Sequence, residues 1–138
     1  MNRRIVAMIV FGLFALAELG DLIGLVITLA NPADAAQQLG ISARAETIRA
    51  IILVALALLV VLNALIALLG VLMRSSLLLQ FGALMSGIAL ILYGAYQVLS
   101  ALLQHGHLEF AVVGLVYVAL GALALWFARS ASSVTAKA

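Results

Sequence analysis

The chain has 138 residues, of which 67% are hydrophobic and only 9% are charged, and its formal net charge is +2. Soluble domains carry roughly a quarter charged residues, so this chain has too few charges to cover a water-facing surface. It contains no cysteine, which excludes disulfides, thiol catalysis and thiolate metal sites. Its basic residues are scattered and form no patch, so we expect no nucleic acid among its partners.

Four apolar segments predict four transmembrane helices, at approximately 5–30, 50–73, 76–103 and 109–128. Each is about 20 residues or longer, the length that crosses a hydrocarbon layer about 30 Å thick. The first segment exceeds the apolar core of a signal peptide and contains two acids, so we expect a retained span. The expected fold class is all-α: a polytopic membrane protein, with 1–138 forming one domain and the spans forming an antiparallel bundle.

The longest loop, between spans one and two, runs from Asn31 to about Arg49. Its first part, "NPADAAQQLG", predicts a short surface helix with Pro32 at its first position and Gly40 after its end. Ser42 can cap the helix that becomes span two. The links "MRSS" and "QHGHLE" are tight and predict antiparallel hairpins. The tail, 130–138, has nothing to bury, so we expect it to be mobile unless a partner holds it.

The basic residues predict the orientation in the membrane. On one side would lie Arg3, Arg4, Arg74, Arg129 and Lys137, and on the other Arg44 and Arg49. Because loops rich in Lys and Arg stay in the cytoplasm, we expect both termini to be cytoplasmic. The expected location is the cytoplasmic membrane of a bacterium, with the lipid bilayer as environment, bound lipid and no cofactor.

Small residues recur at helical spacing along the spans, which in lipid indicates where helices pack closely. These positions are Gly20 and Gly24 in span one, Gly87 and Gly94 in span three, and Gly114 and Gly121 in span four. The alignment predicts a compact bundle whose interior is lined by these glycine-bearing faces.

Two of the five acidic residues, Glu18 and Asp21, lie inside the first span. An ionised carboxylate at the centre of a membrane helix is unfavourable by roughly 3 kcal/mol. The two share a helix face, so ionising both at once is disfavoured. No basic residue lies near the middle of any span, so no internal salt bridge is expected. Neutral polar partners are expected at similar depth: Asn63, Tyr93, Gln97 and Tyr117.

Three interpretations of the two acids remain open. In the first, they belong to a neutral hydrogen-bond network that orders the bundle. In the second, they pair with a cation supplied by another membrane subunit. In the third, they form a proton or cation site in a transport path.

The glutamate that follows "LA" in the first of four spans resembles the small multidrug resistance transporters, which use such a glutamate as their proton and drug site. On that resemblance only Glu18 carries over. That family's later lysine in the first span and its tryptophan near the third have no counterparts here, and its chains are shorter. The four-span outline and the "AETIRA" opening of span two are similar to DoxX-like proteins. Neither resemblance assigns the chain to a family.

Catalytic motifs are missing from the sequence: it has no H-E-x-x-H, no G-x-S-x-G and no phosphate-binding glycine loop, so we expect no enzyme. His105 and His107 lie in a short turn close to Glu109. A metal site needs more ligands, supported by a second layer of hydrogen bonds, so we expect no metal there.

Two functions remain after these exclusions. The first is a non-enzymatic accessory or structural subunit, packed by its small-residue helix faces into a larger integral-membrane complex. The alternative is a small oligomeric proton- or cation-coupled transporter or channel that uses Glu18 and Asp21. The expected protein partners are therefore other integral-membrane subunits or further copies of the chain.

Overall fold

A computed structural model of the chain describes residues 2–39, 42–104 and 108–135. Nearly all of these residues are helical, and none of them lies in a strand. The helices in chain order are α1 (Arg3–Ala30), α2 (Pro32–Leu39), α3 (Ala43–Leu72), α4 (Ser76–Gln104), α5 (Leu108–Arg129) and α6 (Ala131–Thr135). Of these, α1, α3, α4 and α5 are long and apolar enough to cross a membrane. The four predicted apolar segments are thus confirmed as helices.

Local signals set the helix boundaries. The Ser42 hydroxyl accepts a hydrogen bond from the Ala45 N–H at 3.1 Å and caps α3, as predicted. Pro32 begins α2, also as predicted. The prediction that Gly40 ends α2 lies outside the described residues. Helix α3 begins at Ala43, directly after this cap, and so includes the residues between the cap and the predicted span at about residue 50.

The link between α3 and α4 is a tight helix-ending turn. Ser75 N–H donates to the Gly70 carbonyl at 2.8 Å, and Arg74 N–H donates to the Val71 carbonyl at 3.3 Å. Arg74 has a φ of 55°, in the left-handed region. These two bonds and this φ are the pattern of the Schellman motif, which satisfies the last carbonyls of a helix. The chain therefore reverses within the short "MRSS" link.

The long helices pack in the order α1, α3, α4, α5. Residue numbers run in opposite directions across the contacts of α4 with its two neighbours. The facing pairs are Gly70 with Leu79, Gly82 with Ala67, Gly87 with Gly121 and Gly94 with Gly114. Helix α1 meets α5 through long side chains, including the rings of Phe11 and Phe127, whose centroids are 5.5 Å apart.

Glycines allow α4 and α5 to approach each other closely. A Cβ atom added at Gly94 would lie 2.9 Å from the backbone nitrogen of Val118, and one at Gly121 would lie 2.7 Å from the carbonyl oxygen of Gly87. A Cβ at Gly87 would be 2.9 Å from the carbonyl oxygen of Gly121. Gly114 is equally confined, against Gly94 and Val98. The structure places all four glycines predicted in spans three and four at this one helix contact.

The prediction that Gly20 and Gly24 line the bundle interior is wrong. Both are exposed, and no atom of the described residues lies within 4 Å of a Cβ added at either position. Helix α1 instead turns Phe11, Phe14 and Glu18 inward. Two residues along a helix rotate by about 200°, so Gly20 cannot face the interior while Glu18 does.

The prediction of a mobile tail is wrong for residues 131–135. They form α6, which buries Ala131, Val134 and Thr135. The Arg3 guanidinium donates to the Ser133 hydroxyl at 3.1 Å, which ties the start of α1 to the tail. Small apolar side chains at helical spacing give this short segment a face to bury. Residues 136–138 of the predicted tail lie outside the described residues.

Candidate functional site

Glu18 lies in the interior between two apolar clusters. One cluster, toward the N-terminal end of α1, includes Phe11, Phe14 and Phe127. The other, toward α2, includes Leu25 of α1 and the α3 residues Ala50, Leu53 and Ala57. The Glu18 side chain is only 1% exposed, and neither of its carboxylate oxygens has a hydrogen-bond partner among the described residues. A buried acceptor without a donor is costly, so this position calls for a chemical explanation.

Asp21 and two tyrosines surround the Glu18 carboxyl group. Asp21, one turn further along α1, is half-buried and accepts a hydrogen bond from the Tyr117 hydroxyl of α5. Asp21 and Tyr117 lie within electrostatic reach of Glu18. The Tyr93 ring of α4 packs edge-on against Tyr117, with centroids 4.9 Å apart, and Tyr93 is within reach of both acids. We call Glu18, Asp21, Tyr93 and Tyr117 the carboxyl site; three helices supply its members.

Gln97 extends the carboxyl site toward α2. It lies one turn beyond Tyr93 on α4, is buried, and its side chain interacts with the Tyr93 hydroxyl. Of the predicted polar residues, the structure therefore brings together Glu18, Asp21, Tyr93, Tyr117 and Gln97.

Asn63 lies apart from the carboxyl site. Its amide donates to the carbonyl of Leu59 in its own helix at 2.7 Å. Leu25 packs in one cluster with Ala50, and at the other end of the two helices the Arg4 guanidinium bonds the Val71 carbonyl; together these contacts give the register of α1 against α3. Counting from either contact places Asn63 level with Gly12, about 9 Å from the level of Glu18 at 1.5 Å per residue. The expectation that Asn63 sits at the depth of Glu18 is therefore wrong.

An ion pair inside α3 escaped the sequence analysis. Arg49 makes two hydrogen bonds to the Glu46 carboxylate, Nε to Oε2 at 2.9 Å and Nη2 to Oε1 at 2.8 Å. Glu46 is fully buried and Arg49 is 13% exposed. Arg49 also lies within electrostatic reach of Tyr93 and Tyr96, so the pair adjoins the carboxyl site. The pair lies near the start of α3, so it does not bear on the expectation that Glu18 and Asp21 find no salt bridge at the middle of the spans. The three-residue spacing in "AETIRA" was the available signal.

Within the described residues, interacting polar side chains continue from the Glu18 site toward one end of the bundle only. Toward α2 lies Tyr93, whose hydroxyl interacts with the side chain of Gln97 and which is within electrostatic reach of Arg49. In the opposite direction lies the apolar cluster of the three phenylalanines, and the buried Asn63 and Ser86 there bond to carbonyls of their own helices. The arrangement thus suits a small positive charge that reaches the two acids from the α2 end.

Among the described residues, no group of three or more His, Cys, Asp or Glu residues could hold a metal ion. Glu109 is exposed at the start of α5. A surface metal site at Glu109 would also need His105 and His107, and these two residues lie outside the described residues.

An all-helical chain with four helices able to cross a membrane falls in the class of candidate helical integral-membrane proteins. Comparison with protein-family models, with curated proteins and with solved structures finds no significant match for this chain. Its function must therefore be argued from its own residues.

Proposed function

We propose that the chain is a four-span integral-membrane protein whose spans form an antiparallel bundle. The opposite running of residue numbers across the α3–α4 and α4–α5 contacts supports the antiparallel arrangement. Large aliphatic side chains on the outer surfaces of the long helices support insertion, and Leu16, Leu62, Leu92 and Leu115 are each more than half exposed. So extensive an apolar surface is unfavourable in water and suits lipid.

Both termini are proposed to be cytoplasmic, with α2 on the opposite side of the membrane. The chain has no native cysteine, so single cysteines report their own position. Gln37→Cys, on the exposed surface of α2, should react with an impermeant thiol reagent in intact cells, because α2 lies outside. Ser132→Cys, exposed on α6, should react only after the membrane is permeabilised. Labelling of Ser132→Cys in intact cells with protection of Gln37→Cys would invert the orientation.

We further propose that the protein is a non-enzymatic subunit of a larger integral-membrane assembly, made with other membrane subunits or with further copies. One observation carries this proposal: Ala17, Gly20 and Gly24 are exposed on one side of α1, and the two glycines contact no other helix of the chain. We call these three residues the small face of α1. Small residues let a second helix backbone come close, which is how helices associate in lipid.

The small face of α1 continues into an apolar groove between α1 and α5. The groove has a volume of about 290 Å³ and shares Ala17 with the small face. The other lining residues are Val10, Leu13, Phe14, Leu120 and Leu123. A transmembrane helix of another subunit, lying along the groove, would bury this apolar lining and the glycines together.

The assembly proposal predicts that bulk on the small face weakens association. The protein carrying both Gly20→Leu and Gly24→Leu should fold, because both positions are open, but should lose its native partners on purification in mild detergent. Gly12→Leu is the matched control: it makes the same change at an equally open glycine that lies away from the small face on α1. Migration of the wild-type protein alone as a monomer, or equal loss of partners in both proteins, would refute the proposal.

A second candidate function, a small oligomeric proton- or cation-coupled transporter or channel, is favoured by the buried and unpartnered carboxyl of Glu18. An assembly role needs no such group, whereas charge transport does. Flux measured in vesicles containing the purified protein separates the two. Proton-coupled flux that Glu18→Gln abolishes without loss of folding would establish the transporter function. Absence of flux in vesicles with the wild-type protein would leave the subunit function as the remaining proposal.

A further inference from the structure

We propose that Glu18 and Asp21 hold one proton between them, and that this proton exchanges with water at the α2 end of the bundle only. The inference concerns the carboxyl site and is independent of whether the small face of α1 binds another helix. It assigns the site a ligand, the proton, and a single side of access.

The first argument is the missing donor at Glu18. Both of its oxygens are buried without a hydrogen-bond partner among the described residues, and an ionised carboxylate can only accept. A protonated glutamic acid can donate one hydrogen bond, and Asp21 is an acceptor within reach. Adding one proton therefore turns two acceptors that repel each other into a donor and an acceptor. It also reduces the net charge of the two acids from −2 to −1.

The second argument concerns which acid carries the proton. Asp21 accepts a hydrogen bond from the Tyr117 hydroxyl, which stabilises a negative charge on it. Glu18 is buried, and neither of its oxygens accepts a hydrogen bond from the described residues. The proton therefore sits on Glu18 and the negative charge on Asp21.

The third argument concerns the neighbouring titratable groups, which supply no competing cation. From α4 the site is faced by Tyr93, and from α5 by Tyr117, both neutral hydroxyl groups. From α3 comes Arg49, which is within electrostatic reach of Tyr93 and is held by two hydrogen bonds to Glu46. Since Arg49 is already paired, the charge of the two acids is best neutralised by a proton.

The side of access follows from the asymmetry of the interior. Toward the Arg49 end lie the polar side chains of Tyr93 and Gln97, which interact with each other, and Tyr93 is within electrostatic reach of both Glu18 and Arg49. In the other direction the interior is closed by the rings of Phe11 and Phe14. A proton crossing that apolar cluster would lose its hydrogen-bonding partners, which is strongly unfavourable.

Infrared difference spectroscopy of the protein in lipid vesicles tests the proton. At neutral pH the wild-type spectrum should contain the carbonyl stretch of a protonated carboxylic acid, which shifts in heavy water. Glu18→Gln should remove the band, since glutamine keeps the shape but cannot carry the proton. Asp34→Asn, an exposed acid on α2, should leave it unchanged. A wild-type spectrum without the band, or a band that survives Glu18→Gln, would overturn the proposal.

The two buried amides on either side of Glu18 test the direction of exchange. Gln97→Leu should slow the hydrogen–deuterium exchange of the Glu18 band by about tenfold, because one hydrogen-bonding step is lost. Asn63→Leu also replaces a buried amide side chain by leucine, on the closed side, and should leave the rate unchanged. Tyr93→Phe, which removes one hydroxyl with little change in packing, should act as Gln97→Leu does. Slower exchange in Asn63→Leu alone, or unchanged exchange in both Gln97→Leu and Tyr93→Phe, would show that access lies elsewhere.

Discussion

Gly94→Leu should lower the free energy of unfolding by about 3 kcal/mol, the upper part of the range for overpacked cores. A Cβ at Gly94 would meet the Gly114 carbonyl and would lie 2.9 Å from the backbone nitrogen of Val118. Backbone atoms cannot rotate away as a side chain can, so α4 and α5 must separate. Their separation also moves Tyr93 away from Tyr117, so the carboxyl site should be disturbed with the fold.

Two controls make this result specific to the α4–α5 contact. Gly12→Leu is the same substitution where no atom lies within 4 Å, and Leu92→Ala trims a side chain that is 52% exposed. Each should change the free energy of unfolding by no more than about 0.5 kcal/mol. The measurement is unfolding by a denaturing detergent in mixed micelles, followed by circular dichroism and by fluorescence of Trp126, the only tryptophan. Similar losses of unfolding free energy for Gly94→Leu and Gly12→Leu would contradict the glycine contact between α4 and α5. If the leucine variant does not accumulate in cells, Gly94→Ala gives a milder test.

The features that the sequence predicted well are those with local causes. The four long helices follow from runs of apolar residues, and the starts of α2 and α3 follow from Pro32 and Ser42. The glycines of α4 and α5 were found because their seven-residue spacing keeps each pair on one face of its helix. In the structure the glycine-bearing face of α4 packs against that of α5. The spacing in each helix thus supported the interpretation of the spacing in the other.

The features that the sequence missed depend on the rotation and register of helices, which only packing decides. The polarity of Glu18 and the smallness of Gly20 both indicated an inward face, yet they point to opposite sides of α1. In the structure Glu18, Phe11 and Phe14 face the interior, and Gly20 is exposed. Asn63 was placed at the right face but the wrong depth, because the register of α3 against α1 is set by the packing of the two helices along their length. No local pattern reports that register.

The carboxyl site was partly predictable for the same reason. Acids within an apolar run are visible in the sequence, and Tyr93, Gln97 and Tyr117 could be assigned to their depth by counting along the spans. The missing donor at Glu18 could not be foreseen, since it depends on how far each side chain reaches. The Glu46–Arg49 pair was visible as a helical spacing, but the pairing of the two residues was not predicted.

Arg49→Ala should be the most damaging single change at the α2 end of the bundle. It removes both hydrogen-bond donors of the Glu46 carboxylate, which is fully buried. Breaking one side of a buried ion pair leaves an uncompensated charge and costs roughly 3–5 kcal/mol. Arg44→Ala, five residues earlier on α3 at an exposed position, should change the free energy of unfolding by no more than about 0.5 kcal/mol. Detergent unfolding of the three proteins gives the comparison, and equal stability of Arg49→Ala and wild type would contradict the buried pair.

Replacing both members of the pair separates the cost of an orphaned charge from the value of the pair itself. In the protein with Glu46→Leu and Arg49→Leu no charge is left buried, and hydrophobic replacements of buried ion pairs are often neutral or stabilising. We therefore expect it to recover most of the roughly 3–5 kcal/mol that Arg49→Ala loses. Because Arg49 lies within electrostatic reach of Tyr93, the double variant should still slow proton exchange at Glu18 although its stability is restored. A double variant as unstable as Arg49→Ala would show instead that the arginine contributes through packing of its side chain, and unchanged exchange would place Arg49 outside the proton's route.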